Sequence, residues 1–172
     1  ARSFVDALSG HGIVVRLLPG EAADLGLAPG GAALVELADG EPDAGDGCEI
    51  AVVIGGDGSI LRAAEITHAS GTPVLGINLG HVGFLAEAEV DDVDTTIAAI
   101  VDRHYVTEDR LTLDVTVHQD GEVVWSSFAL NEASVEKAAR ERMLEVVLEI
   151  DDRPLSRWGC DGVVCATPTG ST

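Results

Sequence analysis

Asp57 stands among glycines in Gly55-Gly56-Asp57-Gly58, between the apolar run Ile50 to Ile54 and a segment whose Ile60, Leu61, Ala64 and His68 share one helical face. The carboxyl end of a buried strand is where open α/β sheets bind ligands. The helix that follows offers unpaired N–H groups suited to a phosphate, with Ser59 as its predicted cap. The loop is not a Walker A loop, since no Gly-Lys-Ser/Thr follows. It is not G-x-G-x-x-G either, because Leu61 takes the place of the third glycine. A carboxylate would ordinarily be excluded from an anion-binding nest. Asp57 therefore suggests a proton acceptor, or a contact to sugar hydroxyls or to a magnesium ion. Taken alone, the motif also reads as a plain Asp-Gly turn.

Three further stretches carry chemistry-bearing residues. "NLGHVGFL", Asn78 to Leu85, follows another apolar run; "LNEASVEK", Leu130 to Lys137, places Asn131 and Glu132 after a β-like run. "CDGVVCATPTGST", Cys160 to Thr172, sets Asp161-Gly162 before a short strand and a turn full of hydroxyls. Each is common as an ordinary loop. Their order along one chain is what carries weight.

The elements that must position these residues fall into two groups. Residues 13–18, 50–54 and 73–77 are short apolar runs with helical segments between and after them, which predicts a parallel sheet buried on both faces. Asp91 to Asp102 is a predicted helix, with Val93, Ile97, Ile100 and Val101 on one face. After His104 the period changes to two: Leu111, Leu113, Val115 and Val117 alternate with polar residues up to Asp120-Gly121, a hairpin turn. Leu144, Val146, Leu148 and Ile150 alternate likewise before Asp151-Asp152. The fold class expected is an α/β N-terminal domain with a parallel sheet, residues 1–104. An incomplete β-rich, antiparallel, sandwich-like domain follows, residues 105–172. Residues 19–47, rich in glycine, alanine and acid, are expected to include a mobile loop, and both ends of the chain look cut.

Composition limits the partners. Thirty acidic against ten basic residues give a formal charge of −20, which repels nucleic acid and anionic membrane. No apolar run nears the roughly 20 residues of a bilayer span, and a cytoplasmic protein is expected. Cys48, Cys160 and Cys165 lack zinc-site spacing and are expected as buried reduced thiols, and the five histidines form no metal motif.

Taken in that order, "GGDGS", "NLGHVGFLAE", "LNEASVEK" and "DGVVCATPTGST" resemble the NAD kinases, specifically the bacterial, actinobacterial type, over nearly every residue. The resemblance implies transfer of a phosphoryl group from ATP, or from inorganic polyphosphate, to the 2′-hydroxyl of NAD's adenosine ribose. A divalent metal, magnesium, is implied as cofactor, and a homodimer or homotetramer as assembly. It implies that Asp57 is the catalytic aspartate and that Gly58 supplies backbone beside it. Arg62 falls where basic members contact ligand, and Phe84 looks like the aromatic beside adenine. Asn131 and Glu132 resemble the pair holding base and ribose hydroxyls, Asp161 the acid of a "DG" motif, and Thr172 the threonine of "STAY". Ser59 departs from the family's usual threonine, and the family continues past "TPTGST" with residues this chain lacks. "GGDG" alone also fits lipid and sugar kinases, and a non-catalytic NAD-binding module is a third reading.

Overall fold

The computed structural model describes residues 1–39, 41, 44–78, 85, 88–89, 93–138 and 142–171, with 88–89 described in backbone only. Phe84 and Thr172, both expected at the site, lie outside the described residues. The chain divides into two units, Ala1–Thr107 and Glu108–Thr172.

In the first unit, α1 (Arg2–Gly10) leads into β1 (Val15–Leu17), which pairs in parallel with β2 (Val35–Leu37). A separate parallel sheet contains β3 (Ala51–Ile54), β4 (Val74–Asn78) and β5 (Ala88–Glu89), in that order. The run at 13–18 thus joins β2 and not the strands at 50–54 and 73–77, so the predicted single sheet is two. Its partner β2 lies inside the stretch expected to hold a mobile loop. So does α2 (Pro19–Leu25), which Pro19 opens and Gly26 ends at a left-handed φ of 62°. Proline at the first helical position and glycine just past the last is the usual punctuation of a helix. Helix α3 (Asp57–Thr67) packs against β3 and β4, and α4 (Val93–Val101) against α1 and β5. The core joins Phe4 and Leu8 of α1, Ile97 and Ile100 of α4, and Ile77 of β4, which is fully buried. Burying a side chain of that size stabilises by about 1.5–3 kcal/mol.

The second unit consists of antiparallel strand pairs: β6 (Leu113–Gln119) with β7 (Glu122–Ala129), and β9 (Leu144–Ile150) with β10 (Arg153–Cys160). A third pair is β8 (Glu132–Glu136) with β11 (Gly162–Ala166). Asp120 and Gly121 have φ of 52° and 86°, and Asp151 and Asp152 have φ of 51° and 60°. Two consecutive positive-φ residues make the type I′ turn whose twist matches that of the flanking strands. The predicted hairpin turn at Asp120-Gly121 is therefore present, and Asp151-Asp152 makes a second. Among the described residues of this unit Thr167 is the one buried side chain, at 1% exposure. Trp125, Trp158, Val135 and Val164 are exposed. All three cysteines are free, but Cys165 is exposed and Cys48 and Cys160 half-buried, so the expectation of buried thiols is corrected.

Candidate functional site

The glycine-aspartate loop lies where its sequence puts it, directly after β3. Gly55 N–H donates to the Ile77 carbonyl at 2.9 Å, so the β3–β4 pairing runs one residue into the loop. Gly56, extended at φ −92° and ψ −178°, is the N-cap, and Asp57 is the first residue of α3. Ser59 is therefore not the cap. Its N–H donates to the Gly56 carbonyl at 2.9 Å from within the first turn. A carboxylate in the first turn already meets the positive end of the helix dipole, which removes the need for a hydroxyl cap.

The glycines of the loop divide by what surrounds them. A Cβ on Gly55 would lie 2.8 Å from Ser59 Oγ, so the serine side chain occupies that space. A Cβ on Gly56 or Gly58 would meet nothing within 4 Å. Internal packing therefore does not demand glycine at 56 or 58, and both leave bare backbone open at a helix N-terminus. Asp57 is half-buried between them, and its Oδ1 accepts the Leu85 N–H at 3.3 Å. That bond ties the carboxylate to the end of the "NLGHVGFL" stretch.

Arg62, expected to face ligand, points its Nη2 at Glu41 Oε2, 2.5 Å away. Glu41 raises the Arg62 pKa further above its ordinary value through this hydrogen bond and its charge. The pair is exposed, 56% and 54% for the two side chains.

In the second unit, Asn131 and Glu132 stand where β8 begins, and the Thr-Pro-Thr-Gly turn after β11 packs against them. Thr167 N–H donates to the Asn131 carbonyl at 2.8 Å, and Thr167 Oγ1 to the Leu130 carbonyl at 2.6 Å. Gly170 N–H in turn donates to Thr167 Oγ1 at 3.1 Å. Asp161 is elsewhere. The register pairs Glu132 with Ala166 and Glu136 with Gly162, so Asp161 adjoins the far end of β8. Six residue steps along the strand, from Asn131 to Lys137 opposite Asp161, separate them, about 20 Å at 3.4 Å per residue. Asp161 forms an ion pair with Lys137, the chain's one lysine, and accepts the Lys137 N–H on its carbonyl at 3.1 Å. Asn131 and Asp161 thus cannot both touch one compact nucleoside within this unit. Sequence reasoning missed Glu41, Thr167 and Lys137 as partners of site residues; Lys137's being the sole lysine in so acidic a chain was the available signal for one of them.

No group of three or more His, Cys, Asp or Glu side chains arranged to hold a metal occurs among the described residues. No helix among them is long and apolar enough to cross a membrane.

Residues 20–105 match the ATP-NAD kinase N-terminal domain family, and residues 130–172 the ATP-NAD kinase C-terminal domain family. The chain is 55% identical over its whole length to NAD kinase 2 of Streptomyces avermitilis and covers 56% of that protein. It is 49% identical over its whole length to the NAD kinase of Mycobacterium tuberculosis and covers 58% of that one. It therefore spans little more than half the length of these relatives. Among solved structures, yeast NADH kinase complexed with NADH superposes with a TM-score of 0.85 over 99% of this chain and 53% of its own, at 24% identity. An NAD kinase from Archaeoglobus fulgidus in complex with ATP gives a TM-score of 0.60 over 88% of this chain and 55% of its own, at 26% identity.

Proposed function

The chain belongs to the NAD kinase family, and from that premise we propose that the complete protein phosphorylates the 2′-hydroxyl of NAD's adenosine ribose to give NADP, with ATP as donor. The observation that carries this reading is Asp57, half-buried at the first position of α3 between two glycines whose Cβ positions are open. Bare backbone N–H groups at a helix N-terminus suit a polyphosphate chain, and the carboxylate beside them suits an acceptor hydroxyl. The C-terminal family match argues against a lipid or sugar kinase.

In this reading the ribose 2′-oxygen forms a bond to the γ-phosphorus while the bond from that phosphorus to the β,γ-bridging oxygen breaks and ADP leaves. The hydroxyl proton passes to the Asp57 carboxylate. The transition state is loose, so Asp57 needs only to orient the hydroxyl and accept its proton late. Asn131 and Glu132 hold base and ribose hydroxyls at one end of β8. Asp161, at the other end, is left to contact a different part of an extended dinucleotide. Magnesium, which keeps several waters and binds mainly through substrate phosphates, would suit a site with no cluster of metal-holding side chains among the described residues. Held by the donor's phosphates, it would neutralise charge on the transferring group. We further propose a cytoplasmic homo-oligomer.

The test is to supply the complete protein with NAD and magnesium-ATP, or polyphosphate, and to assay NADP. NAD binding by calorimetry with no NADP formed refutes the kinase reading and leaves a binding module. NADP formed from polyphosphate alone changes the donor only.

A further inference from the structure

Thr167, at 1% exposure, is the one fully buried side chain among the described residues of its unit, and its three hydrogen bonds converge on one place. Its hydroxyl donates to the Leu130 carbonyl and its N–H to the Asn131 carbonyl. These two carbonyls belong to the peptide planes on either side of the Asn131 Cα. Fixing both planes fixes φ and ψ of that residue and with them the direction in which its side chain leaves the backbone. The hydroxyl also accepts the Gly170 N–H, which draws the turn down onto the same residue. The approach is close enough that a Cβ on Gly170 would lie 2.2 Å from the Asn131 carbonyl oxygen, so no other residue fits there without displacing Asn131. Buried as it is, the hydroxyl's work cannot readily pass to water.

We propose that Thr167 is a positioning residue, which aims Asn131, and Glu132 after it, at the dinucleotide through the backbone of residues 130 and 131. The inference rests on the reading that Asn131 and Glu132 contact NAD. Thr167 itself need touch nothing but the chain. Serine retains the donor and acceptor that the role requires, whereas valine retains only the shape.

The test compares Thr167→Val and Thr167→Ser in the complete protein, with steady-state kinetics in each substrate. Thr167→Val is expected to raise KM for NAD about tenfold, the scale of one misdirected hydrogen bond to a ligand, and to leave KM for ATP and kcat within about twofold. Thr167→Ser is expected to stay within about twofold of the parent in all three. A merely structural role would not separate the two substrates, nor be rescued by serine. If Thr167→Val does not fold, Thr167→Cys, similar in shape with a weak S–H donor, should show the same selective rise in smaller degree. Unchanged KM for NAD in the valine variant, failure of serine to rescue, or equal losses in both substrates overturns the proposal. If Asn131→Ala raises KM for NAD and Thr167→Val does not, this inference alone falls. If the unsubstituted protein forms no NADP, the functional reading falls and takes this inference with it.

Discussion

Replacing Asp57 by asparagine tests the carboxylate with little disturbance of shape. Asparagine can still accept the Leu85 N–H through its Oδ1, a bond of 3.3 Å in the parent, and the Gly56 cap is untouched. What is lost structurally is one negative charge in the first turn of α3, worth about 0.3–1 kcal/mol against the helix dipole. That corresponds to at most about 4 °C in melting temperature for a protein of this size class. What is lost chemically is the proton acceptor, because an amide does not take up the hydroxyl proton near neutral pH. General-base catalysis contributes about 10²–10⁴-fold in rate, or about 2.7–5.5 kcal/mol of barrier. The catalytic effect therefore exceeds the stability effect several-fold, and the two separate cleanly. In the complete Asp57→Asn protein, NADP formation under magnesium-ATP should fall by at least a hundredfold or so, while NAD binding by calorimetry stays within about twofold. A kcat within tenfold of the parent refutes the role of Asp57 as base. A melting temperature lowered by more than about 8 °C would instead assign the residue to folding.

Gly58→Ala should leave the melting temperature unchanged or higher by up to about 1 kcal/mol equivalent, since its Cβ meets nothing, yet raise KM for ATP; Gly55→Ala should instead lower the melting temperature through the Ser59 contact. Unchanged KM in Gly58→Ala would refute close approach of the donor there. Glu41→Gln removes an exposed ion pair worth about 0–1 kcal/mol, so stability should barely change. KM for ATP should fall at low salt as Arg62 is released, a difference that screening erases at high salt; equal KM at low salt would show that Glu41 does not compete. Arg103 and then Tyr105 hydrogen-bond Glu49, holding its carboxyl below its ordinary 4.5, while Glu49 pushes the Tyr105 hydroxyl above 10.0. A lowered carboxyl pKa contributes stability above 4.5 that is lost as pH falls through the folded value, and a raised hydroxyl pKa contributes below 10.0 and is lost as pH rises. The melting advantage of the parent over Glu49→Gln should therefore be flat from about pH 6 to 9 and shrink on either side, as pH-scanned thermal denaturation will show.

What was legible in the sequence was local. Asp120-Gly121 and Asp151-Asp152 announce their turns because those residue types tolerate positive φ at neighbouring positions. The strands at 50–54 and 73–77 announce themselves as apolar runs too short for helices. The helix after Gly56 was legible in existence but not in its start: serine is a commoner cap than glycine, yet Gly56 is the cap here and Asp57 at the first helical position meets the helix dipole. Strand β2 was missed because Val35 and Leu37 sit in a glycine- and acid-rich stretch that reads as loop. The resemblance of four motifs to one family carried the functional reading, but the partners of those motifs did not follow from it. Glu41 meets Arg62 across 21 residues, and Thr167 meets Leu130 across 37. Separations of that length are set by topology, which no local pattern encodes. The register of β8 and β11, which parts Asp161 from Asn131, is of the same kind.

The strands of the second unit present valines and tryptophans to water on a chain that carries −20 charge. Such a molecule behaves as a colloid held apart by its own field: sticky patches that would otherwise find each other are kept at a distance by acidic neighbours. The range of that field is about 10 Å at 0.1 M salt and about 3 Å at 1 M. Handling this stretch of chain by itself is thus a matter of ionic strength before it is one of temperature, and dilute buffer is its safer home.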